Sequence, residues 1–128
     1  MGGGLFSAAF LLKEAKKMEK TIEIDGRQVR FKASGGTMLR YKMQFGREYL
    51  ADMADIDKLI GEDRTMDISG LDLTPFYRIV WVLAKTADDS IPDMLTWYDS
   101  FDTFPLFEVV EQLTEILKNN IKIDRKNS

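Results

Sequence analysis

Apolar and polar positions alternate along TIEIDGRQVRFK, residues 21–32: Ile22 and Ile24, then Asp25-Gly26, then Val29 and Phe31. Period-two alternation on both sides of an Asp-Gly pair predicts a β-hairpin closed by a two-residue type I′ turn, since both central positions need positive φ. That register sets Ile22 opposite Val29 and gathers four apolar side chains on one face, with Arg27 joining them at the turn end. A lone hairpin is marginal in water, so this face needs a helical layer to lie on.

The period then changes. ASGGT breaks the strand, and Thr37 is the predicted N-cap of a helix. Leu39, Met43, Gly46, Leu50 and Met53 recur at spacings of four and three, which is one helical stripe. A glycine on that stripe costs about 1 kcal/mol relative to alanine, so Gly46 predicts close approach of another backbone. Tyr41, Phe45 and Tyr49 form a second, flanking line, and Arg40, Lys42 and Arg47 also fall off the stripe. The stripe is thus the expected core face and the three basic residues are expected in solvent. The aromatic line serves either deep packing or partner binding.

Residues 55–73 are acidic and turn-rich, a predicted loop with a helical turn at 56–60. Thr74 and Pro75 then open a helix, Thr74 as N-cap, with a core face of Phe76, Ile79, Val80, Leu83 and Ala87. Trp81 lies off that face, so this helix is expected to be buried on most sides. Pro92 starts a short helix carrying Leu95, Tyr98 and Phe101. Thr103 or Phe104 precedes Pro105 and a last helix, striped by Leu106, Val109, Val110, Leu113, Ile116 and Leu117, with Glu108, Glu111 and Glu115 opposite. The predicted fold is α+β: a single, mostly helical domain over 18–120, an N-terminal antiparallel β-hairpin followed by about four α-helices. Residues 121–128 are a polar tail expected to fray.

Residues 1–17 differ from the rest and read as a leader, disordered or a short helix. The apolar run from Leu5 to Leu12 is far too short to span a bilayer, and no basic segment precedes it as in a secretory signal. Lys13-Glu14-Ala15 can be encoded AAG-GAG-GCN, a ribosome-binding sequence about eight nucleotides before the Met18 codon. Met18 is therefore the expected natural start.

Composition narrows the chemistry. The 128 residues contain no cysteine and no histidine, which removes disulfides, thiolate metal sites, the usual general base and the Ser-His and Cys-His nucleophile pairs. SGGT lacks the lysine and spacing of a phosphate loop. Asp52, Asp55, Asp57, Glu62 and Asp63 lack the ligand spacing of a calcium loop. Asp88, Asp89 and Asp93 read as capping and turn residues. The net charge of −3 is unevenly distributed: residues 27–47 carry six basic residues and no acid, and residues 48–74 carry eight acids against Lys58 and Arg64. A positive and a negative end follow, which suits head-to-tail self-association or a partner of opposite polarity.

Three segments in order, MLRYKMQFGREYLADM, FYRIVWVLAKTADDSIPD and WYDSFDTFPLFEVVEQLTEIL, carry a family likeness. From Thr21 to Leu117 the chain resembles the tail assembly chaperones of long-tailed phages and prophages of Gram-positive bacteria. The likeness rests on Gln44-Phe45-Gly46-Arg47, on Ala84 through Pro92, and on Trp97, Phe101 and Phe104. The leader before Met18 and the Gly35-Gly36 pair depart from the family pattern. The resemblance implies a non-catalytic protein without cofactor, metal, small-molecule substrate, nucleic acid or membrane. It would act in the bacterial host's cytoplasm and be left out of the finished virion. Its implied partner is the long helical tape-measure protein, with the tail tube protein and further copies of itself as additional partners.

Helix-in-groove binding needs exposed apolar anchors at helical spacing, rimmed by charge. The candidate anchors are Tyr41, Phe45 and Tyr49 with Arg40 and Arg47 beside them, and Trp97, Phe101 and Phe104 as a second group. Two other readings stand beside this one. A small nucleic-acid-binding regulator would use the six basic residues and interleaved aromatics, and would lose affinity steeply with salt. A structural tail or capsid adaptor would be found in purified particles.

Overall fold

A computed structural model of the protein describes residues 18–61 and 72–127, with side chains described for 18–56 and 72–118. Strands β1 (Glu19–Ile24) and β2 (Arg27–Lys32) pair antiparallel, Ile22 opposite Val29 and Ile24 opposite Arg27. Asp25 (φ 52°) and Gly26 (φ 77°) fill the two positive-φ positions that the Asp-Gly pair predicts. Ile22, Ile24, Val29 and Phe31 are all buried. Five helices follow among the described residues: α1 (Thr37–Phe45), α2 (Tyr49–Gly61), α3 (Thr74–Ala87), α4 (Met94–Asp99) and α5 (Leu106–Asn127). The α+β architecture is as predicted. Helix α3 is its hub: it packs on β2 and touches α1, α2, α4 and α5. Trp81, Val82 and Ala84 are buried along with Phe76, Ile79, Val80 and Leu83 of its predicted face, Ala87 being half-buried, so it is enclosed on most sides.

The fifth helix arises because the first predicted one breaks. Gly46 takes φ 69° and donates its N–H to the Lys42 carbonyl, a left-handed C-cap that ends α1. A Cβ there would meet nothing within 4 Å, so close backbone approach is not the reason for the glycine. The faces are also exchanged over most of their length, Met53 of the predicted stripe staying inside. Tyr41, Tyr49, Met53 and Ile56 are buried and Phe45 is half-buried, whereas Leu39, Met43 and Leu50 are 63%, 78% and 52% exposed. An aromatic ring removes more surface from water than an aliphatic chain, so the aromatic line takes the interior.

Smaller corrections have local causes. Asp72 Oδ1 accepts from the Thr74 N–H at 2.9 Å, so Asp72 rather than Thr74 satisfies the start of α3. The Thr37 hydroxyl accepts from the Ser34 N–H at 2.7 Å instead of capping its own helix. Trp97, not the 70% exposed Leu95, anchors α4, and Asp93 caps it through the Thr96 N–H. The turn at 56–60 is the end of α2, and α5 stays helical to Asn127 where fraying was predicted. The rest of the acidic loop and the 1–17 leader lie outside the described residues. Among the described residues, no helix is long and apolar enough to cross a membrane.

Candidate partner-binding surface

The inner side of the α1–α2 corner closes on one carboxylate. Asp52, fully buried, accepts from the Tyr41 hydroxyl, from Arg47 at 2.7 Å and 3.1 Å, and from Arg78 of α3 at 3.3 Å. Burial pushes the Asp52 carboxyl up, but the hydrogen bonds from Arg47 and Tyr41 and the fields of Arg47 and Arg78 outweigh it and hold the group below the usual carboxylate range. Burial, then the bond to Asp52, pushes the Tyr41 phenol well above its ordinary value. Around this centre Tyr41 meets Phe45 and Tyr49 edge-on, at centroid distances of 5.1 Å and 5.5 Å, and Phe45 meets Trp81 at 5.9 Å. The corner is therefore rigid on its inside.

Its outside is apolar. Leu39 and Met43, one turn apart on α1, and Leu50 at the start of α2 are large hydrophobic side chains left mostly in water. Ala51 and Ala54 are exposed as well. Arg40 stands exposed beside Leu39. Lys42 pairs with Glu48 at 3.0 Å, and the Arg47 side chain remains 48% exposed while holding Asp52. Two guanidiniums share the Asp52 carboxylate, with Asp55 and Asp72 also in their fields, so the positive charge that stands in solvent beside the apolar residues is that of Arg40 and of the half-exposed Arg47.

The predicted anchors are redistributed accordingly. Tyr41 and Tyr49 are sealed inside the subunit, and Trp97 and Phe101 show only 5% and 7% of their surface, so none of the four protrudes as an anchor for a partner helix. Phe45 is half-buried between Tyr41 and Trp81, with the Arg78 guanidinium 5.9 Å from its ring centroid. Phe104 is half-buried among Trp97, Tyr98 and Phe101, at 4.9–5.6 Å between ring centres. Only Arg40 and Arg47 of the first group face solvent as predicted. The anchors that sequence reasoning missed are Leu39, Met43 and Leu50, already visible as a stripe but assigned to the interior. The signal that assigns the faces is Asp52: it lies 11 residues beyond Tyr41, across the break at Gly46, and a carboxylate on the inner face needs a phenol and arginines beside it.

The basic run is also less uniform in space than in sequence. Arg27 donates to the Ser100 carbonyl and hydroxyl and lies 3.6 Å over the Phe101 ring, Lys42 pairs with Glu48, and Arg47 pairs with Asp52. The acids that follow the basic run thus fold back onto part of it, which weakens the predicted charge separation.

Comparisons with protein-family models, with curated proteins and with solved structures find no match to this chain.

Proposed function

We propose that the protein is a non-catalytic chaperone that covers an amphipathic helical client, and that the client is the tape-measure protein of a long-tailed phage during tail assembly in the host cytoplasm. The observation that carries the binding mode is the outward line Leu39, Met43 and Leu50 on a corner whose inside is locked by aromatic packing and a buried carboxylate. Leu39 and Met43, one turn apart on α1, fit the apolar face of a partner helix, with Leu50 at the start of α2 as a further exposed apolar group. The exposed Arg40 and the half-exposed Arg47 favour a client helix whose flank is acidic. The choice of tape-measure protein rests on the resemblance of residues 21–117 to tail assembly chaperones.

The test is co-expression with a tape-measure fragment taken from the same genome neighbourhood. The wild-type chain should keep the fragment soluble and co-purify with it. The double substitution Leu39→Ser with Met43→Ser should abolish both effects while leaving the far-UV circular dichroism and urea midpoint near wild type, because neither side chain belongs to the core. Undiminished rescue by a folded double variant would remove this surface from the mechanism.

A further inference from the structure

A cleft of about 420 Å³ runs between β2, the 88–92 turn and α4. Arg27, Gln28, Val29 and Arg30 form one wall as four consecutive residues, and no residue of β1 lines it. A cleft over a sheet face would meet alternate residues of both strands. Consecutive residues of one strand mean that this cleft follows the edge of β2 that points away from β1.

That edge is open. Ile24 and Arg27 flank the two-residue turn, so they form a hydrogen-bonded pair, as do Ile22 with Val29 and Lys20 with Phe31. The N–H and C=O groups of Gln28 and Arg30 therefore point outward, into the cleft. Among the described residues no backbone group outside the hairpin bonds to either of them. The floor is apolar: Val29, Ile91, Trp97 and Phe101 are core residues that each keep 5–8% of their surface exposed. The rim carries Arg27, Arg30 and Asp88. Arg27 keeps its full charge because its partners, Ser100 and the Phe101 ring, are neutral. Asp88 is charged too, since the Ser90 N–H and hydroxyl that it accepts from are neutral, and it lies in the field of Arg30, so the rim carries two positive charges against one negative.

We infer that this open β2 edge is a docking groove for an extended, acidic segment of another protein, which adds to the hairpin as a third strand. The cleft lies within the range of about 300–1,000 Å³ typical of binding sites, and main-chain pairing to an unpaired strand is an established mode of peptide capture. Charge selects the occupant. Strand β2 carries Arg27, Arg30 and Lys32 and no acid, so the β2 edge of a second copy would bring like charges together. A partner strand with glutamate opposite Arg30 and apolar residues over Val29 and Ile91 satisfies both rim and floor. This site uses no residue of the helix-binding corner, and it stands whether or not a helical client binds there.

The probe is a fluorescein-labelled heptapeptide of alternating valine and glutamate, titrated into the full-length chain and followed by anisotropy. It should bind at least about tenfold tighter than the same peptide with lysine in place of glutamate. In an antiparallel third strand the glutamates carry the amides that face β2, so N-methylation at the glutamates should abolish binding while N-methylation at the valines leaves it. Bound peptide should protect the Gln28 and Arg30 amides from hydrogen exchange. The variant Arg30→Glu, an exposed change, should reverse the preference toward the lysine peptide. Equal binding by the two N-methylated peptides would reduce the groove to a charged surface and overturn the inference. Absence of peptide-induced protection at Gln28 and Arg30 would overturn it too, as would protection that instead rises with protein concentration, since that would make the edge a self-association site.

Discussion

The Asp52 carboxylate is enclosed by protein yet faces two guanidiniums and a phenol, so its charge and the closure of the α1–α2 corner are linked. Its folded pKa lies below that of an unfolded aspartate, which is about 3.9. Folding therefore favours the ionised form, and this part of the stability is fully present above pH ~4 and is lost as pH falls through the lower folded value. Asp52→Asn keeps the shape but removes the carboxylate that both arginines contact, leaving only Asp55 and Asp72 in their fields. The expected loss is about 3 kcal/mol, near the low end for breaking a buried pair because both guanidiniums reach water. Urea unfolding at neutral pH measures that difference, and repeating it at descending pH should show the gap between wild type and variant closing below about pH 4. A gap that stays constant with pH would mean that Asp52 acts through shape rather than charge. Asp72, Asp88 and Asp93 are also held below the usual carboxylate range, by hydrogen bonds from Thr74, Ser90 and Thr96, but at exposed turns where water screens them.

At the scale of elements, Gly46 decides how the corner is built. Its φ of 69° is in the left-handed region, and open space surrounds the position of a missing Cβ. Gly46→Ala should then cost only the conformational penalty, about 1–2 kcal/mol, read as a lower urea midpoint with unchanged slope. Gly46→Asn should recover part of it, since asparagine visits this region more readily. The same glycine explains what the sequence disclosed and what it hid. The hairpin, α3 and α5 were legible because one periodicity dominates each: Asp25-Gly26 between alternating residues, and the stripe from Leu106 to Leu117 opposed by glutamates. Around α1 two apolar lines compete. Counting aliphatic positions favours Leu39, Met43 and Leu50, while the interior selects Tyr41, Phe45 and Tyr49 because a distant residue, Arg78 on α3, completes the site around Asp52. No local pattern contains that contact, which spans 26 positions. The candidate binding residues were misplaced for the same reason: exposure is the complement of packing, and exchanging the two faces exchanges anchors with core. The groove along β2 was hidden differently, since the pairing pattern of a hairpin is local but the 88–92 wall opposite it comes from the tertiary fold.

Across the whole molecule, the hairpin is tied to the helical layer at its turn as well as through its apolar face. Asp25 accepts from the Asp102 N–H at 2.9 Å, and Arg27 reaches Ser100 and the Phe101 ring, so the turn is fastened just beyond α4. Helix α3 carries the other connections, with Trp81 donating to the Pro92 carbonyl at 2.9 Å. The two tryptophans thus sit in different neighbourhoods: Trp81 against Phe45 beside the corner, and Trp97 against Phe101 and Phe104 beside the hairpin turn. If the fold is one cooperative unit, these neighbourhoods must be lost together. Trp81→Phe and Trp97→Phe each leave a single reporter. In each variant the fluorescence transition in urea should coincide with the loss of far-UV circular dichroism, even though the two variants differ in absolute stability. A fluorescence transition that precedes the dichroism in the variant retaining Trp97 would instead identify the hairpin and α4 as a unit that opens before the helical layer, and the packing of β2 on α3 with the Trp81–Pro92 hydrogen bond would then be the weakest joint between the two.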